Sequence, residues 1–223
     1  MMAVMDNGEN GVARTLDPGR IDALYSDMGN VLVKVRPERF FEALVRHVGP
    51  LDRRSFVERV LARRIYTDFA RGVTTPESFA RQLADVLGTR WTFEQFERIW
   101  VDMFDEIPGT REALGRALAA VPVFVLSNTD RLHWRYLRTR FRWLDEATAT
   151  FLSCDVGLLK PEPDYYEGAL ARFGHRPERV LFVDDREENV RAAREAGLNT
   201  VRAESDGDFV RLVDDLWGRD ASG

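Results

Sequence analysis

Ile21-Asp22-Ala23-Leu24-Tyr25-Ser26-Asp27-Met28-Gly29-Asn30-Val31-Leu32-Val33 is the stretch from which the fold can be worked out. A short apolar run ends in a carboxylate, Met28-Gly29-Asn30 makes a turn, and apolar residues resume; this predicts a buried strand with an acid at its carboxyl end. The pattern recurs downstream. Val121-Pro122-Val123-Phe124-Val125-Leu126 ends at Ser127, and Val180-Leu181-Phe182-Val183 ends at Asp184-Asp185. Weaker strands are expected at 147–152 and 199–201. Between them lie helical segments at 111–120, at 164–173 closed by Gly174, and at 188–196 closed by Gly197. Strands that alternate with helices imply a parallel sheet covered on both faces.

From residue 37 to 100 the apolar period becomes helical. Phe40, Phe41, Leu44, Val45 and Val48 share one spacing, as do Phe56, Val57, Val60 and Leu61, and then Phe79, Leu83, Val86 and Leu87. Gly49-Pro50, Gly72 and Gly88 punctuate this block, and Thr75-Pro76 marks a helix start. The fold class is therefore α/β: a three-layer, Rossmann-like parallel sheet with a helical block inserted after the first strand. Residues 1–20 are expected to be a flexible N-terminal tail, 21–36 and 101–223 the core, and 37–100 the inserted helical block.

The 223 residues are 44% hydrophobic and 31% charged, an ordinary globular composition with apolar mass for one sizeable core. A net charge of −5 argues against a nucleic-acid or anionic-membrane partner. No apolar run approaches the ~20 residues that span a bilayer. The first 20 residues carry Asp6, Glu9 and Asp17 and do not read as a secretory leader. Cys154 is the single cysteine, which excludes an internal disulfide and fits a cytoplasmic setting. Only two of the 32 basic residues are lysines, Lys34 and Lys160. In a chain whose default cation is arginine, a surviving lysine points to a place that wants a compact ammonium.

Asp27, Ser127 and Asp184-Asp185 all stand where strands end, the rim on which ligands bind in open α/β sheets. Lys160, in a loop before a helix, can join them. Singly, each reads as a loop residue or helix cap. Together the carboxylates repel one another and call for a hard cation, Mg²⁺.

These residues resemble the motifs of the haloacid dehalogenase-like (HAD) superfamily, whose members are mostly Mg²⁺-dependent phosphatases. Its first motif, Asp-x-Asp-Gly-x-x-Leu after a strand, is similar to Asp27-Met28-Gly29-Asn30-Val31-Leu32. The second, a strand ending in Ser or Thr, is met by Val125-Leu126-Ser127-Asn128-Thr129. The Lys-Pro motif is met by Lys160-Pro161-Glu162-Pro163, and the acidic pair by Phe182-Val183-Asp184-Asp185, with Asn189 beyond it. The insertion looks like the family's C1 helical cap. Response-regulator receivers use similar groups, but there the acidic pair comes first in the chain.

The resemblance implies that Asp27 is the nucleophile and forms an aspartyl-phosphate, with Ser127 and Lys160 as the other catalytic groups. It implies Mg²⁺ held by Asp27, the Gly29 carbonyl and Asp185, with Asp184 and Asn189 supporting that shell. Met28, Gly29, Asn30, Asn128 and Asn189 are the expected phosphate-binding positions. The substrate would be a small phosphorylated metabolite. One departure stands out: Gly29 occupies the place where many members carry an acid–base Asp, a group typically worth ~10²–10⁴-fold. The Asp-x-Gly-Asn-Val form resembles the sugar-1-phosphate phosphatase-like branch. The alternatives are a 2-haloacid dehalogenase-type hydrolase and an inactive binding protein on the same fold.

In the cap, Arg63, Arg64, Tyr66, Asp68 and Arg71 form a polar cluster that fits either a solvated face or a substrate contact. Lys34 and Arg36 lie at the first hinge and could touch substrate or only cap the hinge. His47, His133, His175, Cys154 and the five tryptophans read as packing or surface residues.

Overall fold

The computed structural model describes residues 5–7 and 13–218. Strands β1 (Met5–Asn7) and β2 (Ala13–Thr15) pair antiparallel, Met5 opposite Thr15, and a 3-10 turn follows at Pro18–Arg20. The Asp17 side chain accepts from the Gly19 N–H and closes that turn. These elements fall within the stretch expected to be a flexible tail, whose remaining residues lie outside the described ones.

Strand β3 (Ala23–Ser26) begins the main sheet, and β4 (Val33–Val35) leads into the cap. Five cap helices follow: α1 (Pro37–Val48), α2 (Arg53–Ala62), α3 (Ile65–Ala70), α4 (Pro76–Leu87) and α5 (Phe93–Val101). The chain returns along β5 (Phe104–Glu106). It continues through α6 (Thr110–Ala120), β6 (Val123–Ser127), α7 (Arg131–Arg140), β7 (Ala149–Leu152), α8 (Ser153–Val156), α9 (Pro163–Phe173), β8 (Val180–Asp184), α10 (Glu187–Glu195), β9 (Asn199–Arg202) and α11 (Asp208–Trp217).

The sheet order is β7-β6-β3-β8-β9, and every neighbouring pair is parallel. Strands β3, β6 and β8 are buried along their whole length, which is why they read as unbroken apolar runs. On one face Tyr25, Phe124, Phe182, Tyr165 and Tyr166 pack together; on the other the core runs on into the cap. Within the cap, Phe69 stacks on Phe79 with ring centres 4.0 Å apart, and Trp100 meets Phe79 edge-on at 4.9 Å. Each such buried aromatic contributes ~1.5–3 kcal/mol of burial free energy.

Local signals set the helix starts. The Thr75 hydroxyl accepts from Ser78 N–H ahead of Pro76, and Thr92 with Gln95 completes a capping box. Helices α7, α8 and α11 are additions to the sequence reading: α7 interleaves six charged or polar residues with its apolar ones, which hides its period, and α8 has only four residues. No helix among the described residues is long and apolar enough to cross a membrane.

Entry to and exit from the cap run side by side. Strands β4 and β5 pair antiparallel, Val33 opposite Glu106 and Val35 opposite Phe104. The hinge cations are engaged there. Arg36 and Arg39 both bond Asp105, at 3.2 Å and 2.7 Å, and Lys34 bonds Asp206 at 2.8 Å. Such half-exposed pairs contribute little net stability.

Candidate active site

Because β3 lies between β6 and β8, the polar residues at three strand ends become neighbours. Asp27 directly follows β3, and its N–H donates to the Val183 carbonyl at 2.8 Å. Ser127 closes β6 and Asp184 closes β8, both buried. Asp27, Asp184 and Asp185 each place a carboxylate oxygen within 4.8 Å of the others.

Lys160 enters from the loop before α9. Its Nζ donates to Asp27 Oδ1 at 2.8 Å, to Asp184 Oδ2 at 2.6 Å and to the Leu126 carbonyl at 2.9 Å. All three ammonium protons therefore have acceptors, in a side chain only 1% exposed. Burial opposes the Lys160 charge, but Asp184 and Asp27 outweigh it and hold its pKa above the usual lysine value.

Asp184 is fully engaged. Its second oxygen, Oδ1, accepts from the Arg186 N–H at 2.9 Å and from Asn189 Nδ2 at 2.8 Å. Asp185 is less enclosed, and its Oδ2 accepts from Asn30 Nδ2 at 3.0 Å. Asn30 adopts φ +55° and receives the Val35 N–H on its Oδ1 at 3.2 Å, so its amide joins the first turn to the hinge. Burial raises the Asp185 pKa, with Asn30 acting against it.

Asn128 grips the backbone of Lys160 from both ends. Its Nδ2 donates to the Lys160 carbonyl at 2.8 Å, and its Oδ1 accepts the Lys160 N–H at 2.9 Å. Both ends of the Asn128 and Asn30 amides thus serve protein groups, and Asn189 Nδ2 serves Asp184; the expectation of phosphate donors at these positions did not include those partners. Met28 is buried beside Asp27, and Gly29 is part-buried; a Cβ at Gly29 would stand 3.0 Å from Val35 Cγ2. The Arg186 N–H and the Leu126 carbonyl are contributions that no side-chain pattern announces.

Other residues singled out from the sequence are occupied elsewhere. His47 Nε2 lies 3.2 Å from the Arg90 carbonyl, His175 lies 2.9 Å from the Tyr25 hydroxyl, and His133 lies 2.8 Å from Asp130. Burial pushes the Cys154 thiol up to about 12, which removes it as a nucleophile at neutral pH. In the cap cluster Arg64 pairs with Asp68 at an exposed helix surface, whereas Arg71 reaches the core.

The site's charge balance bears on cation binding. Three carboxyl groups face one ammonium, a formal excess of two negative charges in a largely buried cluster once all three are ionised. Asp27 and Asp185 each keep a second oxygen without a side-chain partner, and hard oxygen donors at this spacing suit Mg²⁺. The buried Oδ1 of Asn189 has no protein partner, and it belongs to the amide whose Nδ2 bonds Asp184. The residues fit the cation.

The family model for a haloacid dehalogenase-like hydrolase matches residues 21–197. This chain belongs to that family. A D-ribitol-5-phosphate phosphatase of Bacteroides thetaiotaomicron is 23% identical to this HAD-like chain over 196 residues, 85% of this chain and 95% of the relative. Flavin mononucleotide hydrolase 1 of Arabidopsis thaliana is 25% identical over 153 residues, 68% of this chain and 62% of the relative. Among solved structures, a HAD-family enzyme of Bacteroides thetaiotaomicron in a magnesium complex superposes with a TM-score of 0.77 at 26% identity, over 86% of this chain and 98% of its own. The same enzyme has been solved with magnesium and inorganic phosphate, TM-score 0.72 at 25% identity.

Proposed function

We propose that this HAD-like hydrolase is a Mg²⁺-dependent phosphatase of a small phosphorylated metabolite, with Asp27 as nucleophile. The observation that carries the reading is one buried ammonium bonded to both Asp27 and Asp184 inside a cluster of three carboxylates. A 2-haloacid dehalogenase would use the same Asp27 on carbon and needs no cation, which would leave the carboxylates in excess of the one ammonium uncompensated. The relatives' phosphatase names support the same choice, and a sugar phosphate is a substrate type consistent with them.

Asp27 carboxylate oxygen attacks phosphorus, and the bond from phosphorus to the leaving oxygen breaks as the aspartyl-phosphate forms. Water then attacks that phosphorus, and the Asp27 carboxylate departs with inorganic phosphate released. Lys160 keeps the Asp27 carboxylate oriented and offsets the charge of an incoming phosphoryl group. Ser127 and the backbone N–H groups after Asp27 are the donors for the phosphoryl oxygens. Asp27 and Asp185, with the Gly29 carbonyl, would hold Mg²⁺, which when bound neutralises the phosphoryl oxygens. Asn128, Asn30 and Asn189 act by fixing Lys160, Asp185 and Asp184.

Gly29 shapes the substrate preference. With no carboxylate at 29 to protonate the leaving oxygen, the rate depends on how well that oxygen departs alone. Aryl, acyl and anomeric phosphates should therefore turn over faster than simple alkyl phosphates, and phosphomutase chemistry is disfavoured. A leaving-group series with Mg²⁺ and with excess EDTA tests both parts. Equal rates for aryl and alkyl esters would contradict the role given to Gly29, and turnover that survives EDTA would contradict the metal requirement.

Protonation and metal binding are linked. Burial pushes the Asp27 carboxyl up to about 7 in the metal-free protein, against the pull of Lys160. The folded chain then retains a proton, between pH ~4 and ~7, that the unfolded chain has released, so stability falls as pH rises through that window. A cation binds the ionised form. Mg²⁺ should therefore raise the melting temperature more at pH 8 than at pH 5, and equal shifts at the two pH values in scanning calorimetry would refute this linkage.

A further inference from the structure

Arg71, which follows the last residue of α3, sends its guanidinium out of the cap and onto the core. Nη1 donates to the Gly157 carbonyl at 2.7 Å, and Nη2 is bonded to Glu162 Oε1. The other Glu162 oxygen accepts the Leu159 N–H at 3.2 Å. These contacts bracket Lys160 on both sides in sequence. The Arg71 side chain is 20% exposed, far more enclosed than the 68% of Arg64 in the same cluster.

A second observation places the cap against the same segment. Gly72 has φ +71°, and a Cβ there would stand 2.1 Å from the Cys154 carbonyl oxygen. The cap backbone therefore lies directly on α8, the short helix that leads to the Lys160 loop, with no room for a side chain between them.

Lys160 is thus held from two directions. Asn128, a core residue, grips its backbone whatever the cap does. Arg71 adds its hold only while the cap is seated. The geometry points to Arg71 as a positioning residue that makes cap seating and correct placement of the Lys160 loop one event. Its kinetic consequence rests on the phosphatase reading above. Arg71 meets its two acceptors with two separate nitrogens, Nη1 and Nη2, whereas lysine carries its donors on one, so a lysine at 71 retains only part of the hold.

The test uses the full chain with Arg71→Ala, Arg71→Lys, Glu162→Ala and the Arg71→Ala/Glu162→Ala pair. Saturating kcat for an aryl phosphate should fall ~10–100-fold in Arg71→Ala with little change in KM, because a displaced Lys160 harms the reacting geometry more than it harms substrate capture. Arg71→Lys should recover part of the loss. The loss in the double variant should fall well short of the sum of the two single losses, since both substitutions cut the Arg71–Glu162 tie, while Glu162→Ala also frees the Leu159 N–H. Hydrogen exchange at residues 157–162 should accelerate in Arg71→Ala, while that in β3 and β8 stays protected.

Unchanged exchange at 157–162 would overturn the proposal, as would faster exchange with unaltered kcat, or losses that add in the double variant. If the wild-type chain hydrolyses no phosphate ester, the phosphatase reading fails. Exchange would still decide whether Arg71 holds the loop. Arg71→Lys keeps the charge and serves as the folding-competent variant should the alanine protein not accumulate.

Discussion

Asp27→Asn should reduce turnover by about 10⁴-fold or more while the chain stays folded, since loss of a covalent nucleophile removes the reaction path rather than slowing it. Asparagine is close in shape to aspartate, and its Oδ1 can still accept from Lys160, so the packing around β3 persists. One negative charge leaves a cluster that holds three against one. Metal-free stability should therefore change little or rise, and Mg²⁺ should bind more weakly because one of its two open carboxylates is gone. The measurements are single-turnover hydrolysis of an aryl phosphate, circular dichroism and a Mg²⁺ titration followed by thermal shift. Turnover within tenfold of wild type would remove Asp27 from the role of nucleophile.

Lys160→Met should be costly in both stability and rate. The Lys160 side chain is 1% exposed and the Asp184 side chain 0%, so the substitution leaves carboxylates facing each other without their cation. Breaking a buried ion pair from one side typically costs about 3–5 kcal/mol. With the ammonium absent, nothing opposes the burial that already raises the Asp27 pKa, and the folded chain binds a proton that the unfolded chain does not. The deficit should accordingly be largest near pH 8 and shrink as pH falls toward 5. Activity should drop ~10²–10³-fold, the usual effect of removing one donor to a developing charge. Denaturant unfolding across that pH range is the direct test; a variant as stable as wild type at pH 8 would mean that Lys160 carries no electrostatic load. Lys160→Arg should not restore function, because a planar fork cannot place its donors on Asp27, Asp184 and the Leu126 carbonyl at once.

The parts of this protein that could be read in advance are those whose physics is local. Strands β3, β6 and β8 are buried on both faces, so their sequences are continuous apolar runs, and each ends where a polar residue meets the ligand rim. That pattern alone points to Asp27, Ser127 and Asp184-Asp185. The scarcity of lysine singles out Lys160, but equally Lys34, which forms only a half-exposed pair with Asp206. What stayed hidden depends on residues distant in sequence. Asn128 reads as a phosphate donor until its two bonds to the Lys160 backbone, 32 residues away, are seen. Arg71 was one of five polar cap residues, and its partners lie 86 and 91 residues downstream. Strands β4 and β5 have three residues each, too few to show a period.

The antiparallel ribbon of β4 and β5 has a consequence for how such a molecule can vary. Since Val33 lies opposite Glu106, the chain leaves the sheet domain and re-enters it at one doorway. Everything between those two residues is topologically a decorated hairpin loop. Helices can be exchanged, lengthened or trimmed there without shifting the register of any strand that carries the chemistry. Recognition of new esters can therefore change through that doorway while the reaction machinery stays as it is, provided the replacement still offers a hand to the loop around Lys160.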